Sequence, residues 1–144
     1  MLKKQSKPLS NNSNYVQAWA PHPYQKKAIK FLLQHGAAGL FLDPGLGKTS
    51  VCLAAVKVLK TEKLLGRVLV IAPLRVCYSV WPKELKKWTN FQKLSCSILH
   101  GSKKESALKE KADIYLINPE GLPWLINSGA CYGAWAIKAR SRKD

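Results

Sequence analysis

The segment Leu42-Asp43-Pro44-Gly45-Leu46-Gly47-Lys48-Thr49 lies between a short apolar run and a helical pattern. The run, residues 39–42, predicts a strand buried on both faces, and residues 48–60 place apolar side chains on one helical stripe. A tight loop between a strand and a helix turns several backbone N–H groups inward and forms an anion nest. The following helix adds the positive end of its dipole at the same point. The segment therefore predicts a site for nucleotide phosphates.

Each residue type in this loop has a physical task. Gly45 and Gly47 allow positive φ and a close approach of the backbone to phosphate. Lys48 is expected to reach the β and γ phosphates, and the Thr49 hydroxyl to ligate magnesium. The strict phosphate-loop pattern has a glycine five residues before Gly47, where this chain has Leu42. The G-K-T core and its strand–loop–helix setting are intact, which argues against a chance match on a surface turn.

The rest of the chain alternates strands with helices. Apolar spacing predicts a helix opened by Pro21 and Pro23 and ended by Gly36, strands at 68–72, 97–99 and 114–117, and helices over 81–88 and 103–111. This order favours right-handed crossovers and a mostly parallel, doubly wound α/β sheet with helices on both faces. Ligands bind at the carboxyl ends of such strands, so Arg75 and Asn118 are expected at the same edge.

The charge is strongly positive. Lys and Arg total 24 against 8 Asp and Glu, a formal net charge of +16. Such a surplus favours a polyanionic partner, nucleic acid above all. The alternative is that the charge is unbalanced because an acidic remainder of a longer protein is missing.

Membrane, secretory and metal-site signals are not found in the sequence. No apolar stretch approaches the roughly 20 residues of a membrane span, and the basic N-terminus has no apolar segment behind it. We therefore expect a cytoplasmic protein without a membrane partner. The four cysteines lie far apart, with no histidine spaced to complete a zinc site, and are expected to be reduced. They are Cys52, Cys77, Cys96 and Cys131.

Four motifs, in a fixed order, resemble those of the superfamily-two helicases, and most closely the Swi/Snf-type DNA translocases. Pro23-Tyr24-Gln25 resembles the motif whose glutamine reads adenine, and Asp43 to Thr49 resembles the D-x-G-L-G-K-T form of Walker A. Ala72-Pro73-Leu74-Arg75 and Ile117-Asn118-Pro119-Glu120-Gly121-Leu122 resemble two motifs that face DNA. Between them, the family's W-x-x-E-L-x-x-W helix is matched by Trp81, Glu84, Leu85 and Trp88.

The resemblance covers residues 20–126 and implies a RecA-like P-loop domain. It implies that ATP and Mg²⁺ are bound by Tyr24, Gln25, Asp43, Pro44, Gly45, Leu46, Gly47, Lys48 and Thr49, with Thr49 as the metal ligand. It also implies that Pro73, Arg75 and Asn118 contact DNA. This DNA is expected to be duplex and to be bound without sequence preference. Trp81 and Trp88 are interpreted as core residues rather than base-stacking ones. The predicted plan is a flexible basic leader over 1–20, a partial ATP-binding domain over 21–128 and a basic tail over 129–144.

One part of the family pattern does not match. Hydrolysis requires carboxylates for magnesium and for the attacking water, and in the family both come from an Asp-Glu pair after the next strand. This chain has no adjacent acidic pair, and Lys138-Ala139 follows the strand-like run at 132–137. Either the position has degenerated, or the chain was cut or changed frame near Ser128. The sequence therefore assigns no catalytic residue.

Three functional hypotheses follow. The first is the ATP-binding lobe of a helicase-like, DNA-dependent ATPase or translocase, inactive in hydrolysis until a protein supplies the second lobe. The second is a non-catalytic binding module, derived from such a lobe, that occupies DNA or a partner protein. The third, a small P-loop kinase, is disfavoured because lid and acceptor-binding residues are lacking and because it does not explain Gln25 upstream of the loop.

Overall fold

The computed structural model of the chain describes residues 16–130. The helices and strands follow the order α1 (Pro23–Gln34), α2 (Lys48–Thr61), β1 (Val68–Ile71), α3 (Leu74–Ser79), α4 (Trp81–Lys87), β2 (Cys96–Ile98), α5 (Lys104–Lys109), β3 (Ile114–Ile117) and α6 (Leu122–Asn127). Single turns of 3-10 helix occur at Thr89–Phe91, Gly101–Lys103 and Pro119–Gly121. None of the helices described is long and apolar enough to cross a membrane.

The strands form a parallel sheet in the order β1-β3-β2. Val68 and Cys96 both lie opposite Ile114, so β3 is the central strand, and all four of its residues are buried. Parallel strands cannot be joined by a tight turn, and each crossover here contains helix. The predicted parallel α/β architecture is confirmed.

Two hydrophobic clusters cover the two faces of β3. On one face, Ile114 and Leu116 pack with residues of α2, α3, α4 and the turn after α4, namely Leu53, Cys77, Leu85 and Phe91. On the other face, Tyr115 and Ile117 pack with Leu99, Ala107 and Leu125, which bring α5 and α6 onto the sheet. Helices therefore lie on both faces, as predicted. Trp81 and Trp88 are partly buried against the first cluster, in agreement with their interpretation as core residues.

Residues 39–42 are not a strand, so that prediction is wrong. The segment pairs with no strand among residues 16–130, and the Phe41 side chain is 97% exposed. Apolar composition is not sufficient for a strand, because its N–H and C=O groups must pair with a neighbouring strand. In the part of the chain that the structure describes, β1 pairs with β3 and no strand adds residues 39–42 to the sheet. The phosphate loop therefore follows a segment without regular secondary structure, outside the sheet.

Two short helices were not predicted. The six-residue helix α3 begins at Leu74, directly after Pro73, and α6, also of six residues, begins at Leu122 with Pro123 in its first turn. Six residues are less than two helical turns, too few for an apolar period to appear in the sequence. The polar helix predicted over 103–111 is shorter than expected, with a 3-10 turn at Gly101–Lys103 followed by α5.

Residues 16–20, here called the N-terminal strap, contact the domain although they were assigned to the predicted leader. Gln17 forms a parallel bridge with Trp88. The Trp19 N–H donates to Asn90 Oδ1 at 2.7 Å, and the Trp19 ring lies 5.4 Å from that of Phe91. The remainder of that leader, residues 1–15, lies outside the described residues, as do residues 131–144 with the strand-like run at 132–137.

Candidate nucleotide-binding site

The loop before α2 has the backbone geometry that its glycines predict. Gly45 and Gly47 both have positive φ, 84° and 76°, and Gly47 caps the helix that begins at Lys48. A Cβ placed on Gly47 would lie 2.5 Å from Nε2 of Gln25. Glycine is therefore required at this position both by conformation and by space. The amino end of α2, with its unpaired N–H groups, opens directly onto the loop.

Lys48 folds back over the loop. Its ammonium donates to the carbonyl oxygens of Leu42 and Asp43, the latter at 2.9 Å. An ammonium has three donors, so these two contacts leave one N–H for another acceptor. Thr49 follows in the first turn of α2 and is partly buried. The structure therefore brings the two predicted side chains to the mouth of the same loop.

Tyr24 and Gln25 contact the backbone of that loop. The Tyr24 hydroxyl donates to the Leu46 carbonyl at 3.1 Å, and Gln25 Nε2 donates to the same oxygen at 3.2 Å. The Gln25 Oε1 accepts from the backbone N–H of His22 at 2.9 Å. Gln25 is 5% exposed, and both of its polar atoms are engaged within the protein. It therefore holds the start of α1 against the phosphate loop.

A cleft of about 460 Å³ adjoins the loop, and we call it the nucleoside cleft. The cleft is lined by residues of the loop and the start of α1, including Gly45, His22 and Tyr24, and by residues of the strap and the α4 region. The His22 and Tyr24 rings are stacked, with centroids 5.8 Å apart and an interplanar angle of 5°. A nucleotide with phosphates in the loop has room for its sugar and base in this cleft.

Glu84 is a cleft residue that the sequence did not assign to the site. Its Oε2 accepts from the Ser50 hydroxyl at 2.8 Å and from Trp88 Nε1 at 2.7 Å. Glu84 and Trp88 are four residues apart in the sequence. The W-x-x-E-L-x-x-W spacing therefore already predicts that their side chains lie on the same face. The contact with Ser50 joins α4 to α2, and no local pattern predicts it.

For magnesium, the described residues offer the Thr49 hydroxyl. Among residues 16–130, no three His, Cys, Asp or Glu side chains converge into a group able to hold a metal ion. Mg²⁺ is commonly bound by few protein ligands together with substrate phosphates. The Thr49 hydroxyl thus fits magnesium delivered with a nucleotide.

The predicted DNA-facing residues lie at the carboxyl edge of the sheet. The Ala72 N–H donates to the Ile117 carbonyl at 3.0 Å, so Pro73 and Asn118 follow paired strand ends. Arg75 is exposed in the first turn of α3. The Asn118 amide donates to the Glu120 carboxylate at 2.6 Å, which places a negative charge beside it. These residues lie at one edge of the sheet, as expected from the sequence. The carboxylate of Glu120 beside Asn118 was not expected.

These features define the class of protein. A glycine loop that leads into a helix with lysine at its first position, beside a parallel sheet covered on both faces, is a RecA-like P-loop domain. The chain belongs to the SNF2-related domain family, whose model matches residues 24–127. The resemblance to Swi/Snf-type proteins is confirmed.

Two relatives show the extent of the similarity. A solved structure described as the Sulfolobus solfataricus SWI2/SNF2 ATPase core in complex with dsDNA is 31% identical, with a TM-score of 0.61, over 73% of this chain and 22% of that one. Putative protein p41 of Acyrthosiphon pisum secondary endosymbiont phage 1 is 33% identical over 116 residues, which are 78% of this chain and 25% of p41. The chain therefore spans about a quarter of the length of these relatives.

Proposed function

We propose that this chain is the ATP-binding lobe of a DNA-dependent ATPase or translocase. The observation that carries the proposal is the position of Lys48, at the amino end of α2 and beside the positive-φ glycines 45 and 47, with the nucleoside cleft next to it. In this arrangement Lys48 exchanges its carbonyl contacts for phosphate oxygens, and charge-assisted bonds of that kind are stronger than neutral ones. The stacked rings of His22 and Tyr24 offer a flat surface to the base.

We propose further that the chain by itself binds ATP without turning it over. ATP supplies the phosphoanhydride bond, but its hydrolysis requires a carboxylate near magnesium and another to position water. The 144 residues contain no adjacent acidic pair, and the described part has no acidic cluster beside Thr49. In the family these carboxylates come from the Asp-Glu pair after the next strand, and the sequence has Lys138-Ala139 in that place.

The proposed nucleic-acid partner is duplex DNA, contacted without sequence preference. Support comes from the net charge of +16, from the exposed Arg75 at the carboxyl edge, and from a relative solved in complex with dsDNA. Binding of this type rests on phosphate contacts and weakens as salt is added.

The second candidate is a non-catalytic module that occupies DNA or a target protein. The lack of an adjacent acidic pair favours this candidate, because a lobe without these carboxylates keeps its binding surfaces but cannot hydrolyse ATP. The two candidates differ in one respect: only the first gains ATP turnover when a second lobe is supplied.

Titration calorimetry of the whole chain with Mg·ATP tests nucleotide binding. Lys48→Ala removes a charge-assisted phosphate contact worth about 1.5–3 kcal/mol, so affinity should fall about ten- to a hundred-fold. Lys57→Ala, an exposed lysine on the same helix, is the matched control and should bind like the unaltered chain. Equal affinities for the unaltered chain and Lys48→Ala would rule out a functional phosphate site here.

A further inference from the structure

We propose that Glu84 recognises the sugar of a bound nucleotide, because its Oε1 accepts a hydrogen bond from a ribose hydroxyl. The inference rests on the proposed function, since a nucleotide must first bind with its phosphates in the loop. It goes beyond that function by naming a residue that distinguishes ATP from its deoxy analogues.

The Glu84 carboxylate is held from two sides. Ser50, 4% exposed on α2, and Trp88, the residue that follows α4, both donate to Oε2. One bond comes from α2 and the other from the end of α4, and both use the same oxygen, so the second oxygen is not used by either. Within residues 16–130, Oε1 has neither a hydrogen-bond donor nor a cation at ion-pair distance. A carboxylate has about four acceptor sites, so acceptor capacity is left at Oε1.

This acceptor belongs to the nucleoside cleft. Glu84 lines the cleft together with His22, Tyr24 and Gln25. The Gln25 amide is already bonded at both ends, to the His22 N–H and to the Leu46 carbonyl. Glu84 is therefore a charged cleft side chain that can accept from a ligand without breaking a bond inside the protein.

The position along the nucleotide points to the sugar. Ser50, which anchors Glu84, lies two residues after Lys48 in the helix whose amino end faces the phosphates. The group that follows the phosphates in a nucleotide is the ribose, so we assign the carboxylate held beside this helix end to the ribose. The stacked rings of His22 and Tyr24 form the wall suited to the base. A site built to accept from a hydroxyl discriminates against the analogue that lacks it, because the acceptor then stays unpaired.

The test is calorimetry on the whole chain with ATP, 2′-deoxyATP, 3′-deoxyATP and purine riboside triphosphate, which lacks the 6-amino group. The unaltered chain should bind one or both deoxy analogues at least about ten-fold more weakly than ATP. Purine riboside triphosphate should bind like ATP, since the donor assigned to Glu84 is on the sugar. A loss seen only with purine riboside triphosphate would make the base amine the donor and overturn the assignment to ribose.

Glu84→Gln separates recognition from structure. A glutamine keeps one oxygen to accept from Ser50 and Trp88, but presents NH₂ donors in place of Oε1. This variant should bind ATP and the deoxy analogues with affinities equal within about two-fold. Glu105→Gln, the same change at an exposed position of α5, should keep the preference for ATP.

Further outcomes would contradict the inference. Equal binding of ATP and both deoxy analogues by the unaltered chain overturns it, and so does a preference that survives in Glu84→Gln. If Glu84→Gln does not unfold cooperatively, Ser50→Ala is measured in its place. Loss of this anchor should reduce the difference in affinity between ATP and the deoxy analogues, and an unchanged difference would overturn the inference. A chain that binds no nucleotide overturns the proposed function as well, whereas binding without discrimination overturns this inference alone.

Discussion

The Gln25 side chain and the Leu46 carbonyl, 21 residues apart in the sequence, are joined by a hydrogen bond of 3.2 Å. The Tyr24 hydroxyl donates to the same carbonyl at 3.1 Å. Through this one oxygen, the first turn of α1 is tied to the middle of the phosphate loop. A rearrangement of the loop around phosphate therefore also acts on the wall of the nucleoside cleft.

Gly47→Ala should destabilise the chain and abolish nucleotide binding. A non-glycine residue in the left-handed region costs about 1–3 kcal/mol, and the added Cβ meets Gln25 Nε2 at 2.5 Å. Gly66→Ala is the control, because a Cβ there meets nothing within 4 Å and Gly66 does not have positive φ. Urea unfolding of the two variants measures the difference, and equal midpoints would contradict the loop geometry.

ATP turnover by the chain alone should be undetectable, with or without duplex DNA. The reason is chemical: the sequence has no adjacent acidic pair to supply the carboxylates for magnesium and water. Phosphate release measured on repurified protein tests this. A DNA-stimulated rate that persists through repurification and disappears in Lys48→Ala would show that other residues take these roles.

Arg75→Ala should weaken duplex binding more than Lys3→Ala. A guanidinium presents a rigid fork of donors that matches phosphate, and Arg75 follows the end of β1 on the ordered edge of the sheet. Binding is expected in the range of about 10⁻⁴–10⁻⁶ M typical of non-specific complexes. Fluorescence anisotropy at two salt concentrations gives the comparison. If the two substitutions lower the affinity for duplex DNA equally, binding is general attraction to a polycation. The carboxyl edge of the sheet then makes no specific contribution.

Asp113→Asn should lower stability near neutral pH and not in acid. Burial disfavours the charged form of Asp113, but hydrogen bonds from Lys60 and Ser95 outweigh it and hold the pKa below the ordinary value of 3.8. The unfolded chain then takes up this proton more readily, so the stabilisation is complete above about pH 4 and disappears as pH falls through the folded-state pKa.

Urea unfolding at pH 7 and pH 3 checks this dependence. The difference between Asp113→Asn and the unaltered chain should shrink at the lower pH. A difference that is the same at both values would mean that the Lys60–Asp113 pair contributes nothing through ionisation.

The structural features that could be predicted best are those determined by residues close together in the sequence. The start of α2 at Lys48 and the positive φ of Gly45 and Gly47 follow from local pattern, as does β3 with its four apolar residues. Residues 39–42 have equally apolar side chains and are no strand, because pairing is decided by other segments.

Contacts between distant segments were not predictable in the same way. The bond from Ser50 to Glu84 spans 34 residues, and that from Trp19 to Asn90 spans 71. Motif matching placed Gln25 and Glu84 in the family pattern, but it did not reveal that Gln25 is bonded at both ends of its amide or that Ser50 anchors Glu84.

The all-parallel pairing of the sheet also has a consequence for biosynthesis. Val68 in β1 pairs with Ile114, about 46 residues later, and no hairpin is available to start the sheet early. At a translation rate of about 5–20 residues per second, β1 leaves the ribosome about 2–9 s before its partner does. Non-local pairing of this kind makes folding slow. During that interval the strand VLVI is an unpaired apolar segment, and the Lys-rich helices synthesised before and after it supply the repulsion that keeps nascent chains apart.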